Sequence, residues 1–248
     1  MKIKIISPII SDIFDEEVRE DVKNYVSETT TVDVCHLDYG PASIESEYDM
    51  ALCVPNFLEK AMEAEQEGYD GIISSCFADP GVKAAKEILS IPVVGPGEAA
   101  MLYGSLLGKS FSIVTVLPNV IATQENNSKA LGVYEKVASI RSADIPVLEV
   151  SEKSKLKSAL LREMIEAIEV DKAHALILGC TGMLGVAKDL QNELFTLYGY
   201  DVPVIDPLMS AVKLLESQIS LGIKQSKLTY MKPPEKLRVF PQTVSTSI

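Results

Sequence analysis

The 248-residue chain has no tryptophan, only two histidines, and four cysteines of which no two share a CxxC spacing. His36 beside Cys35 and the solitary His174 show no metal-ligand spacing, so core or surface roles fit them better than zinc. There is no basic run, and 35 acidic against 23 basic residues leave a net charge of −12. That argues against a nucleic-acid partner, which would need a positive face, and the acidity reads as solubility. No apolar run approaches the length of a membrane span. Met1 to Ile10 alternates and stops at Pro8, without the apolar core and small-residue cleavage site of a signal peptide. With no export signal, free thiols in a reducing cytoplasm are the expectation. The first strand runs into Ile6-Ser7-Pro8-Ile9-Ile10, which has no glycine, so a dinucleotide-binding turn is excluded there.

What is present is an ordinary globular composition, 47% hydrophobic and 23% charged, at a length that suits one large or two small domains. Strand-like and helix-like segments alternate. Strands are expected at Lys2 to Ile6, Thr31 to Leu37, Gly71 to Ser75, Val93-Val94, Phe111 to Val116, Val137 to Ile140, Ala175 to Leu178 and Val204-Ile205. Between them, periodicity predicts helices over 14–26, 48–67, Asp79-Pro80 to about Leu89, 98–107, 119–131, 153–169, 186–197 and 208–219. Ser43 or Ser46 is the candidate cap of the second helix, Pro55 is expected to break or kink it, and Gly68 to close it. The class is α/β with mainly parallel sheets.

Two stretches organise this chain. Asp70 to Val82 and Ala175 to Val186 are each an apolar run that ends in a cysteine, followed by four residues and Gly-Val, with Cys180 standing 104 positions after Cys76. Each is followed by an x-Pro-Val-apolar strand and a helix start, at Pro92 and at Pro203, although the cysteine-to-proline spacing differs, 16 against 23. A diverged duplication into two pseudo-symmetric lobes accounts for this, with the site in the cleft between them. The first lobe is expected to comprise 1–97 plus 207–230, the second 98–206, and 231–248 a surface tail or arm.

Both cysteines fall where an apolar strand ends, the edge at which open α/β sheets bind ligands. A helix N-terminus following each would lower a thiol from its usual pKa of about 8.5 and offer N–H groups to an anion. A lone cysteine at a strand end is commonly a small buried hydrophobe, and that reading suits Cys35 and Cys53. Matched frames favour function for Cys76 and Cys180. Two acid–base groups on opposite walls of a cleft suit inversion of a carbon next to a carbonyl: one thiolate removes a proton, and the other thiol delivers one to the opposite face. A nucleophilic role would want a histidine partner, and none is visible.

Four motifs resemble the aspartate/glutamate/hydantoin racemase superfamily, and within it the hydantoin racemases, with allantoin racemases close by. They are Gly40-Pro41-Ala42-Ser43-Ile44-Glu45-Ser46, Ser75-Cys76-Phe77-Ala78-Asp79-Pro80-Gly81, Val94-Gly95-Pro96-Gly97-Glu98-Ala99-Ala100 and Gly179-Cys180-Thr181-Gly182-Met183. The resemblance covers most of residues 1–222. It implies a cofactor-independent racemase of small molecules with Cys76 and Cys180 as its two bases, and suggests Ser43, Ile44, Ser75, Thr115, Thr181 and Gly182 as substrate contacts. On this reading no metal, flavin or pyridoxal phosphate is required, the charge balance and the lack of an apolar span leave no nucleic-acid or membrane partner expected, and a homo-oligomer is compatible. The amino-acid racemase branch usually shows Cys-Asn-Thr where this chain has Cys-Phe-Ala and Cys-Thr-Gly, which turns the expectation away from free aspartate or glutamate. Hydantoin racemases often carry an Asn-Pro-Asn-Thr type loop after the first strand. Here Ser7-Pro8-Ile9-Ile10-Ser11 replaces its amides largely with aliphatic groups, which bears on the substrate rather than on the reaction type. Related activities in the superfamily are amino-acid racemase, allantoin racemase, maleate isomerase and arylmalonate decarboxylase. The decarboxylase needs only one of the two cysteines, and a non-catalytic two-lobed binding protein would have no use for the pair.

Overall fold

The computed structural model describes residues 1–238. Two four-stranded sheets, every pairing parallel, carry the fold. In the first sheet the order is β2 (Thr31–Cys35), β1 (Lys2–Ile6), β3 (Gly71–Ser74), β4 (Val93–Val94). The second repeats it as β6 (Val137–Ser142), β5 (Phe111–Thr115), β7 (Ala175–Leu178), β8 (Val204–Ile205). The inner strands are the apolar, β-branched runs, and β3, β5 and β7 are buried along their whole length. A parallel sheet covered on both faces requires this.

Among the described residues seven α-helices connect the strands and an eighth follows the last: α1 (Asp15–Lys23), α2 (Glu47–Gln66), α3 (Val82–Ile88), α4 (Pro96–Leu107), α5 (Ile121–Leu131), α6 (Lys153–Glu169), α7 (Ala187–Tyr198) and α8 (Pro207–Leu221). Two of them cross between sheets. α4 follows β4 of the first sheet yet packs on β7 and β8 of the second, and α8 follows β8 of the second yet packs on β3 and β4 of the first. The two crossing helices lie against each other.

Two local expectations are resolved and a third is corrected. One continuous helix, α2, runs through Pro55. The carbonyl that loses its donor there belongs to Ala51, which is exposed, so water can take its place. Ser46, not Ser43, caps α2, accepting from Asp49 N–H at 3.1 Å. Asp79-Pro80 does not start α3, which begins at Val82 after a left-handed Gly81. Asp79 itself adopts φ 55° and sends its carboxylate to α4, accepting from Gly97 N–H (2.8 Å) and Glu98 N–H (2.7 Å).

Beyond α8 the chain returns to the first sheet. Gln225 Nε2 donates to the Leu89 and Ile91 carbonyls, and Lys227 Nζ to those of Lys86, Glu87 and Leu89, satisfying the C-terminal end of α3. Residues 231–238 form no regular element, and 239–248, the rest of the expected tail, lie outside the described residues.

Candidate active site

The cysteine turns are built alike. Past β3, Ser75 N–H donates to the Ile6 carbonyl of β1 (2.8 Å), and Cys76 follows. Past β7, Gly179 N–H donates to the Val114 carbonyl of β5 (2.8 Å), and Cys180 follows. Each cysteine carbonyl then accepts an N–H three residues on, Asp79 at 3.0 Å and Met183 at 3.3 Å, which closes a turn. Each thiol thus stands two residues beyond an inner strand, at the carboxyl edge of its sheet.

Both thiols open on one cavity of about 60 Å³. Its walls are mainly apolar, with Pro8, Ile9, Phe14, Val18, Ile44, Val116, Val120 and Val147 beside the two turns. Ser7, Ser75, Gln124 and Thr181 are its polar side chains, and no lining residue is charged. Hydrogen bonds join the two walls: Thr181 Oγ1 donates to the Ser75 carbonyl (2.9 Å), Asn127 Nδ2 to the Ala78 carbonyl (2.9 Å), and Val147 N–H to Glu45 Oε1 (2.7 Å).

The expected lowering of the thiol pKa is reversed. The helices begin six and seven residues past the cysteines, at Val82 and Ala187, too far for their N-terminal N–H groups to act on sulfur. Burial dominates instead. It pushes Cys76 well above its ordinary value, aided by the facing Cys180, and pushes Cys180 up to about 11. Backbone N–H groups compensate in part: that of Ala78 for Cys76, and those of Gly182 (3.4 Å from Sγ) and Met183 for Cys180. All four cysteines are free.

Of the other residues singled out from the sequence, Ile44, Ser75, Thr181 and Gly182 line the cavity, whereas Ser43 and Thr115 do not. Thr115 is fully buried behind the wall, where Oγ1 donates to the Gly179 carbonyl (3.2 Å) and accepts from Gln124 Nε2 (2.7 Å). It braces the Cys180 turn from outside the cavity. Sequence reasoning missed Phe14, Val120, Val147 and Gln124. Gln124 opens the polar run Gln-Glu-Asn-Asn of α5, which reads as a solvated helix face, and only its 2% exposure reveals it as part of the wall.

Among the described residues no group of three or more His, Cys, Asp or Glu could hold a metal ion, and no helix is long and apolar enough to cross a membrane.

The family model described as Asp/Glu/Hydantoin racemase matches residues 3–215. The chain is 37% identical over 237 residues to a hydantoin racemase of Pseudomonas sp. (strain NS671), covering 95% of this chain and 93% of that one. It is 35% identical over 239 residues to the hydantoin racemase of Paenarthrobacter aurescens, covering 95% and 99%. The solved structure of allantoin racemase from Klebsiella pneumoniae superposes with a TM-score of 0.90 at 31% identity, covering 97% of this chain and 96% of that one.

Proposed function

The chain belongs to the Asp/Glu/hydantoin racemase family, and from that premise we propose that it inverts C5 of a 5-substituted hydantoin, with Cys76 and Cys180 as the two acid–base groups. It is an enzyme of the racemase class. The observation that carries the substrate reading is a pair of thiols at matched strand ends in a cavity without a charged side chain. A neutral ring fits such walls. A free amino acid or a dicarboxylate brings charges that would lose their water there with no ionic partner in return.

In the proposed reaction one cysteine thiolate takes the C5 proton and the C–H electron pair moves into the adjacent carbonyl as an enolate. The opposite thiol then gives its proton to the other face of C5 and becomes the thiolate. Substrates of opposite hand use the cysteines in opposite roles. Backbone N–H groups of the two turns are the donors available to the developing oxyanion. Raised thiol pKa values leave few thiolates at neutral pH, roughly one in ten thousand for Cys180 with its value of about 11, but make each a stronger base toward a weak carbon acid.

The apolar lining favours apolar C5 side chains. Allantoin, itself a hydantoin with a polar ureido group at C5, is the second reading, supported by the fold likeness to allantoin racemase. We assign the Cys76 wall to a lobe of residues 1–97 and 207–230 and the Cys180 wall to a lobe of 98–206, since the crossing helices α4 and α8 change sheets near those limits. A reducing cytoplasm is the compartment we infer, because two catalytic thiols must stay reduced.

The test is proton NMR in deuterated water beside an optical-rotation trace, starting from single enantiomers of 5-isopropylhydantoin, 5-benzylhydantoin and allantoin, with enzyme-free controls. Loss of the C5 proton and decay of rotation are expected to accelerate for the apolar hydantoins most. No acceleration over the control for any of the three would defeat the proposal.

A further inference from the structure

We propose that Gln124 accepts a hydrogen bond from a ring N–H of the substrate and so makes the site selective for a cyclic ureide, an inference that rests on the hydantoin reading above. Gln124 lines the cavity and is 2% exposed. Its amide orientation is fixed from behind. Thr115 Oγ1 commits its hydrogen to the Gly179 carbonyl, leaving two acceptors for Gln124 Nε2, Thr115 Oγ1 at 2.7 Å and the Gly179 carbonyl at 3.4 Å. With Nε2 turned back onto that pair, Oε1 points away from it. Among the described residues, Oε1 is the buried side-chain nitrogen or oxygen that has no hydrogen-bond partner. A buried acceptor without a donor is a standing cost, which a ligand donor removes.

The other lobe shows what a satisfied version looks like. Strand register makes Ser7, next after Ile6, the counterpart of Thr115, next after Val114. Ser7 is hydrogen-bonded to Asp15, as Thr115 is to Gln124. Asp15 Oδ1 accepts from Ser7 (3.4 Å), Oδ2 is paired with His36 Nδ1 (2.8 Å), and Asp15 does not line the cavity. The open acceptor is therefore peculiar to the Cys180 side. It is anchored on the carbonyl of Gly179, the residue before Cys180, so a ring bonded to it is held in register with that thiol. A hydantoin offers two N–H donors, N1 and N3. A dicarboxylate offers none.

The experiment compares kcat/KM for 5-isopropylhydantoin and its 1-methyl and 3-methyl derivatives in the wild-type enzyme, Gln124→Met and Gln124→Leu. For one N-methyl isomer the wild type should lose about 10- to 100-fold. Gln124→Met should lose a similar factor on the parent compound, mostly in KM, and its preference for the parent over that isomer should collapse toward one. Wild-type rates within about threefold for all three compounds would overturn the assignment without any variant. So would a variant that keeps the wild-type preference. If the wild type racemises no hydantoin at all, the functional reading fails and this inference goes with it. If it racemises the parent but shows no N-methyl discrimination, only the Gln124 assignment falls.

Discussion

The turns after β3 and β7 put a thiol in the same place by different means. The Cys76 turn leans on a helix: the Asp79 carboxylate, which burial and Glu98 push well above the carboxylate range, caps α4 through the Gly97 and Glu98 N–H groups. The glycines at 95 and 97 leave room for it, since a Cβ at 95 would overlap that carboxylate and one at 97 the Phe77 carbonyl. The Cys180 turn leans on a strand: a Cβ at Gly179 would lie 2.8 Å from Thr115 Cα. The carboxylate duty has moved as well. Asp206 caps α8 directly, accepting from the Leu208 and Met209 N–H groups, whereas the matched position before α4 is Gly95. Two cysteines can thus hold equivalent places while their surroundings make one an easier thiolate. Cys180 has two backbone N–H groups that favour its thiolate, from Gly182 and Met183, where Cys76 has one, from Ala78.

The equivalence is broken most directly by removing each sulfur. Cys76→Ser and Cys180→Ser should each cut racemisation by about 10²- to 10⁴-fold, because a hydroxyl is a far poorer base. Either variant at near-normal turnover would end the two-base account. The next effect is on folding. Gly97→Ala drives a methyl to 2.1 Å from the Phe77 carbonyl oxygen and should cost about 3 kcal/mol or more, whereas Gly179→Ala, whose methyl would lie 2.8 Å from Thr115 Cα and Cβ, forces a smaller shift and should cost about 2 kcal/mol. Chemical denaturation of both would measure this, and equal losses would deny that the turns rest on different supports. The smallest effect concerns reactivity. Alkylation followed by peptide mass spectrometry should label Cys180 before Cys76, at rates that rise with pH as the Cys180 thiol approaches its value of about 11. Cys76 labelled first would reverse the assignment of the easier thiolate.

The repeated pattern of strand, cysteine and Pro-Val strand was legible because buried parallel strands are short apolar runs, and α6 at Lys153–Glu169 was legible because its stripe is regular. Helix starts after the cysteines were misread for a physical reason. Asp-Pro is a good local start signal, but the Asp79 side chain serves a different helix, a tertiary contact that no window of sequence contains. Pro55 does not break α2, because a missing donor matters little where water reaches the carbonyl. The thiols were legible as a site and their pKa values were not, since burial, which sets both, depends on walls from distant segments such as Phe14, Val120 and Val147. Gln124 was hidden by polar neighbours on its own helix.

The measurement that bears most directly on two opposed thiols is the position of deuterium after partial turnover. A single enantiomer of 5-isopropylhydantoin is incubated with enzyme in deuterated water, stopped early, and the two enantiomers are separated and weighed by mass spectrometry against an enzyme-free control. Two bases on opposite faces predict deuterium at C5 of the newly formed enantiomer and protium in the recovered substrate. Deuterium appearing equally fast in the recovered substrate would mean that one group serves both faces, and would contradict the pairing of Cys76 with Cys180.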